Sequence, residues 1–168
     1  MISVIGSSSA DTASLKAAEE VGEEIARRGV VLVCGGLGGV MEAACRGAKR
    51  AGGLTVGIVP TDHHEDANDF VDIAIPTGMG YMRNFLVART GHAVIAVDGL
   101  AGTLSEMAIA WFSDRPLVSL SNSGGWATRL AGEKIDDRRS DAVYPASNAE
   151  DALDYIFRTL GWDGLGKE

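Results

Sequence analysis

Residues 30–50 read Val30-Val31-Leu32-Val33-Cys34-Gly35-Gly36-Leu37-Gly38-Gly39-Val40-Met41-Glu42-Ala43-Ala44-Cys45-Arg46-Gly47-Ala48-Lys49-Arg50. The first five residues are apolar and rich in β-branched side chains, with no polar alternation. They predict a strand buried on both faces, as in a parallel sheet covered by helices. The glycines that follow end the strand, and Val40 to Arg50 predicts a helix that stops before Gly52-Gly53. Strand, glycine turn and helix in that order make half of a βαβ unit.

The same order repeats outward. Ile2 to Ile5 predicts a strand that stops at Gly6, and Asp11 to Arg28 a helix with Leu15, Ala18, Val21, Gly22 and Ile25 on one face. Leu54 to Val59 predicts a strand, Thr61 to Asn68 a loop, and Val71 to Ile75 a short extended piece. Tyr81 to Thr90 predicts a helix, Ala93 to Val97 a strand, Thr103 to Phe112 a helix and Pro116 to Leu120 a strand. Ser121 to Asp141 shows no period and reads as a functional loop or lid. Ala142 to Tyr144 predicts a last short strand, Asn148 a helix cap, and 161–168 a frayed tail. The fold class is therefore α/β: a Rossmann-like, doubly wound parallel sheet in three α/β/α layers, one domain over 1–168.

Composition narrows the partners. The chain has 168 residues, 46% hydrophobic and 23% charged, enough for one globular core. Its net charge of −8 repels a nucleic-acid backbone and an anionic lipid surface, so neither nucleic acid nor membrane is expected as a partner. Cys34 and Cys45 form no CxxC and read as reduced thiols. No apolar run is long enough to span a bilayer and no secretory leader pattern opens the chain, so the expected location is cytoplasmic. His63-His64-Glu65-Asp66 reads as a solvated loop, and no metal site is expected.

Ligands of open parallel sheets sit beyond the carboxyl ends of the strands. Three such ends here carry glycine, serine or threonine before a helix: Gly6-Ser7-Ser8-Ser9, Gly35-Gly36-Leu37-Gly38-Gly39 and Gly99-Leu100-Ala101-Gly102-Thr103. Glycine lets backbone approach a ligand, and free N–H groups at a helix start favour an anion. The expected partner is a phosphorylated small molecule. The dinucleotide pattern G-x-G-x-x-G is missing at the first turn, and so is the ATPase phosphate loop G-x-x-x-x-G-K-[ST]. Arg83 falls at a predicted helix start, against the helix dipole, which an anion-binding role would explain. Thr103-Leu104-Ser105-Glu106 fits a capping box; alternatively Glu106 faces the crevice.

Taken together, Met79-Gly80-Tyr81-Met82-Arg83-Asn84, Asp98 to Glu106 and Gly35 to Met41 resemble the LOG (Lonely Guy) superfamily, once labelled lysine decarboxylases, whose signature is P-G-G-x-G-T-x-x-E. Met82-Arg83-Asn84 and Gly102-Thr103-Leu104-Ser105-Glu106 look most like its molybdenum cofactor carrier branch. Asp98 stands for the motif proline and Leu100 for its second glycine. The resemblance implies a homodimer or homotetramer. It also implies one of two activities. As a carrier, the chain would bind a nucleotide or molybdopterin-type ligand with no required cofactor. Its phosphate would lie on Gly102 and Thr103, Arg83 would be the counter-charge, and Asn84 and Gly99 would stand nearby. Ser7 and Ser8 would offer hydroxyls, Gly6 would bind beside them, and the Gly35 to Gly39 turn, with Gly35, Gly36, Gly38 and Gly39, would form the pocket floor. As a hydrolase, it would split nucleoside 5′-monophosphates into base and ribose 5-phosphate, with Arg83 and Glu106 catalytic. A pyridoxal phosphate site is not recognisable. A third class, a ligand-free assembly module, requires a crevice filled by Leu100 or Trp126.

Overall fold

A computed structural model describes residues 1–163. Seven strands form one parallel sheet: β1 (Ile2–Gly6), β2 (Leu32–Cys34), β3 (Thr55–Val59), β4 (Ile73–Pro76), β5 (Ala93–Val97), β6 (Leu117–Leu120) and β7 (Tyr144–Ala146). Their order is β4-β3-β2-β1-β5-β6-β7, every neighbouring pair parallel. The chain winds outward from β1 in one direction, then returns to β5 on its other side. The β1/β5 boundary is thus the switch point, where an open sheet leaves a crevice.

Six α-helices cover the two faces: α1 (Thr12–Arg27), α2 (Val40–Arg50), α3 (Asn84–Thr90), α4 (Ala101–Phe112), α5 (Gly125–Leu130) and α6 (Ala149–Leu160). On one face α1, α2 and α6 pack on Val4, Leu32, Ile95 and Val118; on the other α3, α4 and α5 pack on Ile5, Val33, Val94 and Leu117. The alternation of these strand residues between two clusters is what buries the central strands on both faces.

Helices α1 and α2 approach closely through glycine. A Cβ at Gly22 would lie 1.9 Å from the Ala44 carbonyl oxygen, and one at Gly47 equally close to that of Glu19. Helix α3 is tied to the central strand by Ser3, whose hydroxyl donates to the Val87 carbonyl (2.6 Å) and accepts from the Gly91 N–H (3.0 Å). That tie fixes the helix that begins just after Arg83.

Several boundaries differ from expectation. Strand β2 begins at Leu32, because the Val30 N–H still caps α1 on the Ile25 carbonyl. A 3-10 turn over Gly80–Arg83 precedes α3, so Arg83 stands at the junction. The supposed loop 121–141 contains α5 and is pinned by Trp111 Nε1 donating to Asp136 (2.8 Å) and by Arg139 donating to the Arg115 carbonyl (2.8 Å). The final strand forms at 144–146, two residues later than expected. The start of the expected frayed tail is ordered: the Trp162 N–H donates to Phe157 O (2.8 Å), and its ring packs edge-on against Phe157 and His92. The rest of that tail lies outside the described residues.

Candidate functional site

Helix α4 starts two residues before the sequence predicts. Asp98 at φ 55° and Gly99 at φ 110° complete the turn, and Leu100 becomes the N-cap with an ordinary φ of −107°. The positive φ angles thus fall on Asp98 and Gly99, and Leu100 is spared. The turn is held from outside: the Asp98 N–H donates to Ser123 Oγ (2.8 Å), its carbonyl accepts from Ala127 N–H (3.0 Å), and the Gly99 carbonyl accepts from Trp126 N–H (3.0 Å).

The early start dismantles the capping box. Thr103 sits inside the first turn with its side chain against Gly99, where a Cβ would come within 2.5 Å of it. No side chain caps α4. The N–H groups of Ala101, Gly102 and Thr103 precede the first helical hydrogen bond, which runs from Leu104 N–H to Leu100 O (3.0 Å). Gly102 is exposed there, and a Cβ on it would approach nothing closer than Asn84 Nδ2 at 4.0 Å.

Glu106 is therefore a buried carboxylate, not a cap. It is 5% exposed and faces Arg83, which is 7% exposed. Arg83 Nη1 donates to Glu106 Oε1 (3.3 Å) and Asn84 Oδ1 (2.8 Å), and Nη2 donates to the Gly35 carbonyl (3.3 Å). Arg83 Nε is buried without a partner. Asn84 Nδ2 donates to Ser105 Oγ (2.9 Å), which donates to the Gly102 carbonyl (2.6 Å). Burial raises the Glu106 carboxyl to about 7, and the nearby guanidinium only partly opposes this. Burial also lowers the affinity of Arg83 for its proton, against the pull of Glu106.

The turn after β2 completes the arrangement. Gly35 lies under Arg83: a Cβ there would be 2.5 Å from Nη2. Gly36 accepts at its carbonyl from Asn68, which also holds the Leu37 carbonyl. A Cβ at Gly38 would meet only Glu42, at 3.8 Å, whereas Gly39, at φ 67°, abuts the backbone of Ser7 and Ser8. Gly6 packs against Val40 and Val97.

Of the residues expected to meet a ligand, Gly35, Arg83, Asn84, Gly102 and Glu106 are joined in one network. The Ser7 hydroxyl is buried and donates to the Ser9 carbonyl (2.6 Å); Ser8 is exposed. Gly99 supports Thr103 and α5. Leu100 is 67% exposed, and Trp126 packs on the cluster that includes Met107 and Trp111. Neither fills the crevice as an assembly module would require. His63 and His64 are exposed, at the cap and the first residue of a 3-10 turn over His64–Asp66. Ser105, Asn68 and Ser123 were not foreseen. Only Ser105 left a sequence trace, as the residue beside Glu106 in the motif.

A groove of about 690 Å³ opens between the 3-10 turn, α3 and α4, with Met79, Tyr81, Met82, Phe85 and Ile109 on its walls and Asn84, Gly102 and Ser105 among its lining. It reaches the network from the apolar side. Among the described residues no helix is long and apolar enough to cross a membrane.

Fold and site together define a Rossmann-type α/β protein of the LOG superfamily with the features of its molybdenum cofactor carrier-like branch. More narrowly, the chain belongs to the SLOG cluster 4 family, whose sequence profile matches residues 1–153. It is similar to the molybdenum cofactor binding protein of Rippkaea orientalis, at 37% identity and a TM-score of 0.85, covering 95% of this chain and 96% of that one. An uncharacterized protein of Archaeoglobus fulgidus is 47% identical over 119 residues, 71% of this chain and 78% of its own. A cytokinin riboside 5′-monophosphate phosphoribohydrolase of Mycobacterium marinum is 31% identical, covering 83% of each chain.

Proposed function

We propose that this chain is a cytoplasmic carrier for a phosphorylated, pterin- or nucleotide-like molecule of the molybdenum cofactor type. The observation that carries this reading is the buried Arg83–Glu106 pair, which links the Gly35 turn to the uncapped start of α4. Phosphate rests on the first-turn N–H groups at Gly102 and Thr103, where backbone donors and the helix dipole favour an anion. The Gly35–Gly39 turn gives the heterocycle a floor without side chains except Leu37. Arg83 serves differently from a free counter-charge: Glu106 and the Gly35 carbonyl hold its guanidinium, so it orients the turn, and its partnerless Nε is one further donor. The 37% identity to a cofactor-binding protein over nearly the whole chain supports the carrier.

One observation favours the hydrolase. A carboxyl that titrates at about 7 supplies both its protonated and its ionised form at neutral pH, as general acid–base chemistry requires. As a carboxylate it would stabilise positive charge developing on a ribose ring while the glycosidic bond breaks. The two readings separate by incubating the protein with nucleoside 5′-monophosphates and analysing products. Thermal stabilisation with no free base is the result expected of the carrier. Release of base and ribose 5-phosphate, lost in Glu106→Gln, establishes the hydrolase instead.

A further inference from the structure

Neither reading uses the two cysteines, yet they meet beneath the site. Both are fully buried, with their sulfurs 3.4 Å apart. Cys34 ends β2, one residue before Gly35, whose carbonyl holds Arg83 Nη2. Its sulfur accepts the Gly36 N–H at 3.3 Å. Cys45 faces it from the middle of α2. Thus one thiol of the pair is built into the glycine turn and the other into the helix behind it.

We propose that Cys34 and Cys45 are a hydroperoxide-oxidised dithiol whose disulfide loosens the Gly35–Gly36 turn and weakens ligand binding. The attacking sulfur is Cys34. The Cys45 thiol donates to it and holds it below the ordinary thiol range, with the Gly36 N–H and the Arg83 charge adding to the effect. The same contact, together with burial, pushes Cys45 upward. The Cys34 thiolate attacks one peroxide oxygen; the O–O bond breaks, leaving a sulfenic acid and hydroxide, which takes a proton to become water. The Cys45 sulfur then attacks the sulfenic sulfur. An S–S bond forms, the S–O bond breaks, and the departing hydroxide takes the Cys45 proton as a second water. The two sulfurs lose two electrons and the peroxide oxygens gain them.

Closing to bonding distance, about 2 Å, draws the Cys34 sulfur off the Gly36 N–H. The Gly35 carbonyl, next along the chain, then shifts against Arg83. Cys34 is fully buried, so peroxide reaches it only when the Gly35–Gly39 turn opens.

The pairing itself is tested without any ligand. The reduced full chain is treated with hydrogen peroxide and measured by intact mass under denaturing, non-reducing conditions. Loss of two hydrogens, a Cys34–Cys45 link in the peptide map and reversal by dithiothreitol are expected. Backbone hydrogen exchange across residues 34–39 should rise about tenfold in the oxidised protein. Cys45→Ala should show no cross-link and no such rise. Addition of oxygen to single cysteines, an unchanged mass, or a cross-link that leaves exchange unaltered overturns the proposal. The functional part rests on the carrier reading and uses a nucleoside 5′-monophosphate as probe. Affinity should fall about tenfold on oxidation of the wild type and stay constant in Cys45→Ala. Equal affinity in both redox states refutes that part, whereas failure of the reduced protein to bind contradicts the nucleotide-type ligand and leaves the mass and exchange results to judge the disulfide.

Discussion

Glu106 gives the molecule a pH dependence of definite sign. Its carboxyl is raised from 4.5 to about 7 in the folded protein. Between those values the folded state keeps a proton that the unfolded chain has released, so stability falls as pH rises through that window. The contribution is full below about pH 4.5 and gone above about pH 7, a loss on the order of 3 kcal/mol. Urea unfolding of the wild type and of Glu106→Gln across this range should show the decline only in the wild type; parallel curves would contradict it. Asp98 makes the second residue-scale prediction. Its φ of 55° lies outside the range of a proline ring, and its N–H donates to Ser123. Restoring the motif residue by Asp98→Pro should therefore cost more than about 3 kcal/mol in thermal or urea unfolding. Asp98→Gly should stay within about 1 kcal/mol of wild type.

At the scale of elements, the α1–α2 contact depends on two missing side chains. Gly47→Ala would place a Cβ 1.9 Å from the Glu19 carbonyl, backbone that cannot swing aside. A loss of about 3 kcal/mol in urea unfolding is expected, although alanine favours helix more than glycine does. Legibility followed similar lines. Long helices with a clear apolar face, such as α1 and α6, were legible because burial at helical spacing leaves its mark in sequence, and the strands β1, β3 and β5 because burial on both faces leaves short continuous apolar runs bounded by glycine or proline. Helix α5 was not, because six residues opening with Gly125 hold too little pattern. The start of α4 was misplaced for a different reason. Thr103 and Glu106 carry a capping signature, but tertiary bonds from Ser123, Trp126 and Ala127 to Asp98 and Gly99 close the turn earlier. The site was legible as residue types, Arg83, Asn84, Gly102 and Glu106. Asn68, which holds the Gly36 and Leu37 carbonyls, and Ser123, which holds the Asp98 N–H, were invisible, since isolated polar residues in loops carry no periodic signal.

For the whole molecule, the outer face of the 3-10 turn and α3 gathers exposed apolar side chains on a chain of net negative charge. Tyr81 and Met82 are 90% and 73% exposed, and Phe85 and Leu86 lie beside them. An apolar patch of this kind on a chain of net charge −8 is the expected seat of self-association, as a homodimer or a pair of dimers. Light scattering after gel filtration should give a dimer or tetramer for wild type and a monomer for Phe85→Asp; a monomeric wild type would contradict this.

The carrier reading places phosphate at Gly102, and this position allows an unusually clean test. Gly102 is exposed and a Cβ there comes no closer than 4.0 Å to Asn84 Nδ2, so Gly102→Leu should fold with an unchanged or slightly higher unfolding temperature. Calorimetric titration with a phosphorylated pterin, or with a nucleoside 5′-monophosphate, should show saturable binding to wild type and none to Gly102→Leu. Equal binding by both proteins would place the ligand elsewhere, and no binding by wild type would contradict the carrier itself.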